Sequence, residues 1–347
     1  MDRIRIVGGA RLNGVIPISG AKNAALPLMI ASLLTEGTLT LENLPRLADV
    51  SQLARILANH GVDYTIEGKR HGDSETQGQT VHLSARQIVD TTAPYDLVSR
   101  MRASFWVLAP LVARMGEARV SLPGGCAIGT RPVDLLLMAM ERLGAKIDID
   151  NGYAVAYAKG GLKGAEIDFP KVTVGGTHTA LMGASLAHGT SVIHNAACEP
   201  EIVDLADCLV KMGARIKGAG TKTIEVTGVT RLTGARHAVL PDRIETGTYA
   251  MAVAMTGGDV LLQGARAELL QSALDVVTQT GATVTETNEG VRVYRNGGGI
   301  QPVDVTTDPF PGFPTDLQAQ LMALMTMARG AAMITETIFE NRFMHVP

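Results

Sequence analysis

The chain has 347 residues, and its 31 basic and 34 acidic side chains give a formal net charge of −3. Apolar residues make up 46% and charged residues 19%, which is ordinary for a globular protein of about two domains and excludes a disordered chain. The slightly acidic balance and an aromatic share of 4% argue against a nucleic-acid partner, which needs a basic surface and stacking platforms.

Sulfur, histidine and apolar patterns exclude further classes of protein. Cys126, Cys198 and Cys208 are too far apart in sequence for a zinc or redox motif, and an odd count argues against a disulfide framework. The longest apolar run, from Ala24 to Leu34, is too short to cross a bilayer, and the N-terminus has no signal-peptide pattern. The eight histidines lack metal-ligand spacing, and no P-loop or Rossmann glycine motif occurs. We therefore expect a cytoplasmic protein with no metal, cofactor, membrane or obligate protein partner.

Two glycine markers recur along the chain with a period of about 70 residues. The first marker follows an apolar segment and the second follows an amphipathic one, with β-rich stretches between them. The pattern predicts an α/β chain of α+β repeats, in which the first helix of each repeat is buried and the second is half exposed. The first markers are Gly37, Gly116, Gly189, Gly258 and Gly330, and the second are Gly61, Gly144, Gly213 and Gly281.

The fifth repeat is short. Only 17 residues follow Gly330, and the second helix of that repeat would begin where the sequence stops. By the period, we expect this chain to be a truncated form of a parent of roughly 430 residues.

Charged residues recur where the buried helices should begin. Lys22, Arg102, Arg243 and Asp316 all lie 14 or 15 residues before a first marker. A helix N-terminus disfavours cations, so three cations among four charges suggest an anionic ligand held by several helix ends. For each residue taken alone, a solvated helix-end charge is the competing interpretation, and Asp316 could simply be a first-turn acid.

The second repeat contains a glycine-rich loop that is longer than its counterparts, from Ser121 to Asp134. Such a loop is a candidate lid over a site. Its thiol, Cys126, lies five residues before Arg131 and could act as a general acid or a nucleophile. A lone cysteine is otherwise a small buried hydrophobe, which fits Cys208 and leaves Cys198 undecided.

Seven segments together resemble the family of bacterial UDP-N-acetylglucosamine 1-carboxyvinyltransferases, which are enolpyruvyl transferases. The resemblance covers the whole chain and is carried by ISGAKNAALP, APYDLVSRMRAS, SLPGGCAIGTRPVDL, AACEPEIVD, LPDRIETGT, FPTDLQAQ and ENRFMHVP.

The resemblance implies a two-domain inside-out α/β barrel, with about six repeats in the full family and the last one and a half missing here. It implies one complete three-repeat domain at 22–239, carrying the Cys126 lid, and a second, incomplete domain formed by 1–21 and 240–347. The active site would lie in the cleft between the domains. The implied reaction transfers the enolpyruvyl group of phosphoenolpyruvate to the 3′-hydroxyl of UDP-N-acetylglucosamine and releases phosphate, the first committed step of peptidoglycan synthesis.

The resemblance also implies roles for single residues. Cys126 would protonate the methylene carbon of phosphoenolpyruvate, and Asp316 would take the proton of the 3′-hydroxyl. Lys22 and Arg131 would hold the phosphate and carboxylate of phosphoenolpyruvate, with Asn23 beside them. Residues that would contact the sugar nucleotide are Arg102, Arg131, Pro132, Val133, Asp134, Leu135, Lys171, Val172, Thr173, Val174, Asp316 and Ile338.

Two alternatives stay open at this stage. A 5-enolpyruvylshikimate-3-phosphate synthase would share fold and chemistry, but the Cys126 loop and the segment ISGAKNAALP are absent from its pattern. A non-catalytic UDP-sugar-binding homologue would fit the expected truncation, because functional residues of the family's final unit have no counterpart here. For the same reason we expect the activity of this chain to be impaired.

Overall fold

The computed structural model describes residues 3–67, 78–99, 101–123 and 133–347. The chain divides into two compact units, one formed by Met1–Ile18 with Pro241–Pro347 and the other by Ser19–Leu240. We call them the terminal unit and the central unit.

Strands within the described residues are short and recur in groups. They are β1 (Leu12–Pro17), β2 (Thr38–Leu44), β3 (Asp63–Ile66), β4 (Gln79–Ser84), β5 (Thr92–Ala93), β6 (Glu117–Ser121), β7 (Lys146–Asp150), β8 (Tyr153–Tyr157), β9 (Glu166–Asp168), β10 (Thr190–His194), β11 (Arg215–Lys217), β12 (Thr223–Thr227), β13 (Ala235–Ala238), β14 (Gly258–Gln263), β15 (Thr283–Thr287), β16 (Gly290–Arg295), β17 (Val305–Thr306) and β18 (Ile334–Thr335).

The described helices alternate with these strands. They are α1 (Lys22–Ala31), α2 (Ala48–Asn59), α3 (Tyr95–Val98), α4 (Leu108–Met115), α5 (Asp134–Arg142), α6 (Val174–Ser185), α7 (Pro200–Lys211), α8 (Arg243–Thr256), α9 (Gln271–Gln279) and α10 (Gln318–Met325). Short 3-10 helices cover Ser32–Leu34, Arg102–Val107, Ala267–Leu269 and Thr315–Leu317.

Three four-stranded sheets of one design form the central unit. Their strand orders are β13-β2-β4-β3, β5-β6-β8-β7 and β9-β10-β12-β11. Each begins with a parallel pair and continues with two antiparallel pairs. The parallel edge strand always comes from the end of the preceding repeat, and β13 returns from the third repeat to the sheet of the first. The repeats therefore close on themselves through hydrogen bonds between strands.

The terminal unit repeats this design once in full. Its sheet has the order β1-β14-β16-β15, with β1 parallel to β14. A second parallel pair, β17 with β18, occupies the position at which the next sheet of the series would begin. The α/β fold class with α+β repeats is thus confirmed.

Helix burial follows the two predicted types in the central unit. All residues from Ala24 to Ala31 of α1 and from Gly176 to Ser185 of α6 are buried. The second helices α2, α5 and α7 bury one face each, as their amphipathic sequences predict. The expected all-round burial is wrong for α10, of which Gln318, Leu321 and Leu324 alone are buried among its eight residues.

A chain of hydrogen bonds from the exposed Lys211 to the buried His237 and Asp204 holds the closing strand β13 to α7. Lys211 Nζ donates to His237 Nδ1 over 3.0 Å, and because an ammonium can only donate, the other ring nitrogen carries the proton. That nitrogen, Nε2, donates to Asp204 Oδ1 over 2.9 Å. Asp204 also accepts from the backbone N–H of Leu240, whose carbonyl accepts from Ala21 at the start of α1. These bonds fix both points where the chain enters and leaves the central unit.

The second glycine markers terminate the amphipathic helices. Gly61, Gly144 and Gly213 all have positive φ, of +91°, +91° and +105°. Each donates to the carbonyl three residues earlier, and the residue after it donates to the carbonyl five residues before itself. This is the Schellman arrangement, which needs a left-handed residue that glycine adopts without strain. The period in the sequence is therefore a period of helix ends.

The Schellman glycines supply a test of backbone conformation alone. A Cβ at Gly213 would meet no atom within 4 Å, so Gly213→Ala adds only the strain of a positive φ. We expect a loss of about 1–2 kcal/mol in the free energy of unfolding of the central unit, followed in urea by the fluorescence of Trp106. Gly213→Asn is the matched control and should lose less, because asparagine tolerates the left-handed region better. Equal losses for both variants would contradict the backbone explanation.

Candidate functional site

Lys22 opens α1, and Asn23 follows it in the first turn. The Lys22 Nζ lies 3.6 Å from Asp49 Oδ2 in the first turn of α2, and both side chains are slightly under half exposed. Ala21 at the N-cap provides no capping side chain for the first N–H groups of α1. A cation and a helix N-terminus are thus placed together at an accessible position.

Arg102 begins a 3-10 helix that leads into α4, and its side chain is partly buried. Ser104 Oγ in this helix donates to the carbonyl of Val98 in α3 over 3.1 Å. Gln52 Nε2 in α2 donates to the carbonyl of Leu97, also in α3, over 2.9 Å. The helix that carries the partner of Lys22 is therefore tied through α3 to the segment that carries Arg102.

The stretches 133–135 and 171–174 meet the same region. Thr173 is the N-cap of α6, and its Oγ1 accepts from the N–H of Gly176 over 3.2 Å. A Cβ at Gly175 would lie 3.1 Å from Trp106 Nε1 and 3.5 Å from Leu136 Cδ1. The start of α6 thus packs against both the helix that begins at Arg102 and the first turn of α5. A Cβ at Gly175 would therefore require the Trp106 ring to shift by a few tenths of an ångström.

These contacts bring predicted site residues from three repeats of the central unit together. Lys171 and Asp134 are exposed, Asn23, Val133, Val172 and Val174 are partly exposed, and Leu135 is buried at 8%. Lys22, Arg102 and Lys171 supply positive charge near helix N-termini, where the helix dipole adds to it. Such a surface suits an extended anion such as a pyrophosphate or a phosphorylated acid.

Asp316 lies in the terminal unit, in the 3-10 helix Thr315–Leu317. Its Oδ1 accepts from Arg342 Nη2 over 2.7 Å. The Arg342 side chain is 18% exposed, and its guanidinium carbon lies 5.5 Å from the centroid of the Phe339 ring. Charge pairing and the ring together hold the guanidinium, which in turn orients the Asp316 carboxylate.

A second carboxylate, that of Glu336, lies between the backbone at Ile338 and the 3-10 helix that carries Asp316. Glu336 Oε1 accepts from the N–H groups of Ile338 and Phe339 over 2.9 and 3.0 Å. Its Oε2 accepts from Thr315 Oγ1 over 2.9 Å. Within the terminal unit, the Glu336 carboxylate therefore links the backbone at Ile338 to Thr315, the residue before Asp316.

Sequence reasoning assigned no role to Glu336 or Arg342. The one sequence feature that pointed toward Arg342 was the segment ENRFMHVP, which includes this residue and supported the family resemblance. Nothing in spacing or periodicity could pair Arg342 with Asp316, because the two lie 26 residues apart in irregular backbone.

Not every predicted residue contributes in the expected way. Arg243 follows the N-cap Asp242 in α8, is 7% exposed and lies 5.9 Å from the centroid of the Phe310 ring. Its side chain is therefore buried, whereas that of Lys22 at the corresponding position is 46% exposed. Cys126, Arg131 and Pro132 lie outside the described residues.

The two described thiols are poorly suited to catalysis at neutral pH. Burial, and after it the charge of the nearby Asp204, raises the pKa of Cys208 to about 12. Burial and then the charge of Glu199 raise the pKa of Cys198. Because the thiolate is the reactive form, both thiols are less reactive than an ordinary surface cysteine.

His178 is an unusual feature of the buried helix α6. Its side chain is fully buried, neither ring nitrogen has a hydrogen-bond partner, and its ring centroid lies 5.1 Å from that of Trp106. Burial lowers its pKa to about 3. A neutral imidazole therefore fills the core directly behind the start of α6.

His178 should make the stability of the chain depend on pH. The pKa in the folded chain is about 3 against an ordinary 6.5, so the unfolded chain binds more protons between these values. Stability should therefore fall by about 1.4 kcal/mol for each pH unit below about 6. His178→Leu should remove this slope and leave stability at neutral pH equal or higher, since no hydrogen bond is lost.

The measurement is urea unfolding by circular dichroism at several pH values. His345→Leu is the control, because it removes an exposed imidazole. A slope in His178→Leu as steep as in the parent chain would assign the pH dependence to other groups.

Comparison with known proteins adds to this geometry. A family model described as EPSP synthase (3-phosphoshikimate 1-carboxyvinyltransferase) matches residues 6–347. Curated relatives from Nitrobacter hamburgensis and Rhodopseudomonas palustris are each 76% identical over 346 residues, covering 100% of this chain and 81% of the relative. Both are named UDP-N-acetylglucosamine 1-carboxyvinyltransferase.

Solved structures share the fold at much lower identity. The enolpyruvyl transferase NikO from Streptomyces tendae is 24% identical with a TM-score of 0.83, over 98% of this chain and 78% of that one. An EPSP synthase from Acinetobacter baumannii is 19% identical with a TM-score of 0.67, over 94% of this chain and 74% of that one.

Among the described residues, no helix has both the length and the apolar composition that crossing a membrane requires.

Proposed function

Since this chain belongs to the EPSP synthase family, we propose that it transfers the enolpyruvyl group of phosphoenolpyruvate to the 3′-hydroxyl of UDP-N-acetylglucosamine and releases phosphate. The observation that carries the proposal is the 76% identity, over the whole chain, to curated relatives with this activity in their name. The EPSP synthase structures share the fold at only 19% identity, which favours the sugar nucleotide over shikimate 3-phosphate as acceptor. We infer that the reaction takes place in the cytoplasm and serves peptidoglycan synthesis.

The reaction places three chemical demands on the protein. The hydroxyl oxygen adds to C2 of phosphoenolpyruvate while a base takes its proton and an acid protonates C3. The C2–O bond to phosphate then breaks, and C3 loses a proton to restore the double bond. Cations must meanwhile hold two polyanionic substrates in line.

The residues of the central unit suit the binding of anions. Lys22 combines a positive charge with the N-terminus of α1, where Ala21 offers no capping side chain, and its ammonium lies 3.6 Å from Asp49 Oδ2. We assign Lys22 and Arg131 to the phosphate and carboxylate of phosphoenolpyruvate, with Asn23 beside them. Arg102, residues 131–135 and residues 171–174 would contact the sugar nucleotide.

Asp316 suits the role of base. Its carboxylate is 36% exposed, and the Arg342 guanidinium donates to its Oδ1 and so orients it. Cys126 is assigned as the acid at C3 on the strength of the family resemblance.

Phosphate release tests the proposal directly. The chain should release phosphate from phosphoenolpyruvate only when UDP-N-acetylglucosamine is present. Lys22→Ala and Asp316→Asn should each lower kcat by about 10²-fold or more, because each removes a group that acts on charge or protons in the transition state. Lys217→Ala is the control, since Lys217 is a highly exposed surface cation on β11.

Other outcomes point to other functions. Phosphate release with shikimate 3-phosphate in place of the sugar nucleotide would overturn the proposed acceptor. Saturable quenching of Trp106 fluorescence by UDP-N-acetylglucosamine, without any phosphate release, would favour a non-catalytic sugar-nucleotide-binding protein.

Thiol labelling tests the assignment of Cys126. An epoxide phosphonate, which imitates phosphoenolpyruvate, should add once per chain and at Cys126, in the presence of the sugar nucleotide. Cys208 and Cys198 should react more slowly, because burial raises the pKa of both thiols. Peptide mass spectrometry identifies the site, Cys126→Ser is the control, and first labelling at either of the other cysteines would refute the assignment.

A further inference from the structure

We infer that Glu336 is a positioning residue that sets the Asp316 carboxylate and the backbone at Ile338 in one fixed arrangement toward the acceptor sugar. The inference rests on the proposed function for the identity of the ligand. Its structural part is that one carboxylate binds both the turn at Ile338 and the helix at Thr315. This part depends only on contacts within the terminal unit.

The Glu336 carboxylate bridges two separate pieces of backbone. One oxygen accepts from two successive N–H groups, those of Ile338 and Phe339, and so closes a tight turn directly after Glu336. The other oxygen accepts from Thr315 Oγ1, one residue before Asp316. Three donors therefore converge on one partly buried carboxylate, and charge-assisted hydrogen bonds of this kind are among the stronger ones in proteins.

The base of this bridge is rigid. Glu336 follows β18, which pairs in parallel with β17. Thr337 then donates from its N–H to Thr307 Oγ1 over 3.0 Å, and its own hydroxyl donates to the carbonyl of Thr307. The position of the Glu336 backbone is thus fixed by the sheet, and the carboxylate transfers that position to the turn at 338 and to the helix at 315.

A second contact from the same segment strengthens the arrangement. Arg342 donates to Asp316, while Glu336 accepts from Thr315, the preceding residue. Two neighbouring side chains of the Thr315–Leu317 helix are therefore held by two side chains of one segment. Loss of the Glu336 contact removes the bond at Thr315 and leaves the contact between Arg342 and Asp316 in place.

The chemistry separates the hydrogen-bonding role of Glu336 from a role for its charge. In Glu336→Gln the amide oxygen can face the two N–H groups, and the amide nitrogen can donate to Thr315 Oγ, which accepts as well as it donates. All three contacts survive without the charge. Glu336→Ala removes all three and leaves two N–H groups without their acceptor.

The first experiment needs no ligand. Amide hydrogen exchange at Ile338 and Phe339 should speed up about tenfold or more in Glu336→Ala and stay within about threefold of the parent chain in Glu336→Gln. Glu340→Ala is the matched control, because Glu340 is an exposed glutamate in the same segment. Unchanged exchange in Glu336→Ala would overturn the structural part of the inference, whatever the chain binds.

The second experiment measures how the chain senses the 3′-hydroxyl. The dissociation constants of UDP-N-acetylglucosamine and of its 3′-deoxy analogue are compared by calorimetric titration. In the parent chain we expect the deoxy analogue to bind about tenfold more weakly. Glu336→Ala and Asp316→Ala should each bring the ratio close to one, whereas Glu336→Gln and Glu340→Ala should keep it.

The outcomes distinguish this inference from the proposed function. A parent chain that binds neither nucleotide overturns the proposed acceptor, and the exchange experiment then decides the structural part alone. Equal weakening of both nucleotides in Glu336→Ala, with the ratio kept, would make Glu336 a stabilising residue only and refute its positioning role. Loss of the ratio in Glu336→Gln as well would refute the hydrogen-bonding explanation and assign the effect to charge.

Discussion

The parallel pairing between the edge strand of one repeat and the first central strand of the next is the constraint on which the central unit depends. Each repeat folds a sheet that is one strand short, and the missing strand comes from its neighbour. The third repeat supplies β13 to the first through four aligned residues, from Ala235 opposite Leu39 to Ala238 opposite Glu42. Without that register the first sheet has an open edge, which exposes unpaired N–H and C=O groups.

This closure also places the chemistry. Because β13 leads through Leu240 to Ala21, the residue before Lys22 is held by the same backbone that completes the ring of repeats. The hydrogen bonds among Lys211, His237 and Asp204 fix that backbone from the side of α7. The position of Lys22 is therefore set by bonds between the first and third repeats, as well as by its own helix.

Patterns with a physical period were readable from the sequence. The glycine period reported helix ends, since only a left-handed residue completes the Schellman bonds at Gly61, Gly144 and Gly213. All-apolar segments correctly indicated the buried helices α1 and α6. The same argument failed for α10, because burial depends on which neighbours cover a helix, and composition does not contain that information.

Site details were predictable only where family motifs named them. Lys22 and Asp316 were identified by their repeated position and by the resemblance, and Arg243 shared the position without sharing the exposure. Glu336 and Arg342 act on irregular backbone, where no period connects them to Thr315 and Asp316. His178 lies inside a regular helix and was missed for another reason. The sequence of an apolar helix does not indicate whether a polar residue within it has a hydrogen-bond partner.

The order in which strands find their partners has a consequence for synthesis. On a ribosome β1 is made before the central unit and its partner β14 after it, and Asn13 and Asp259 are 246 positions apart in sequence. At about 5–20 residues per second, β1 waits roughly 10–50 s for its partner. The central unit completes its own ring once β13 emerges, earlier than β14. The central unit can therefore close before β1 has a partner, so β1 must stay unpaired while the larger unit folds.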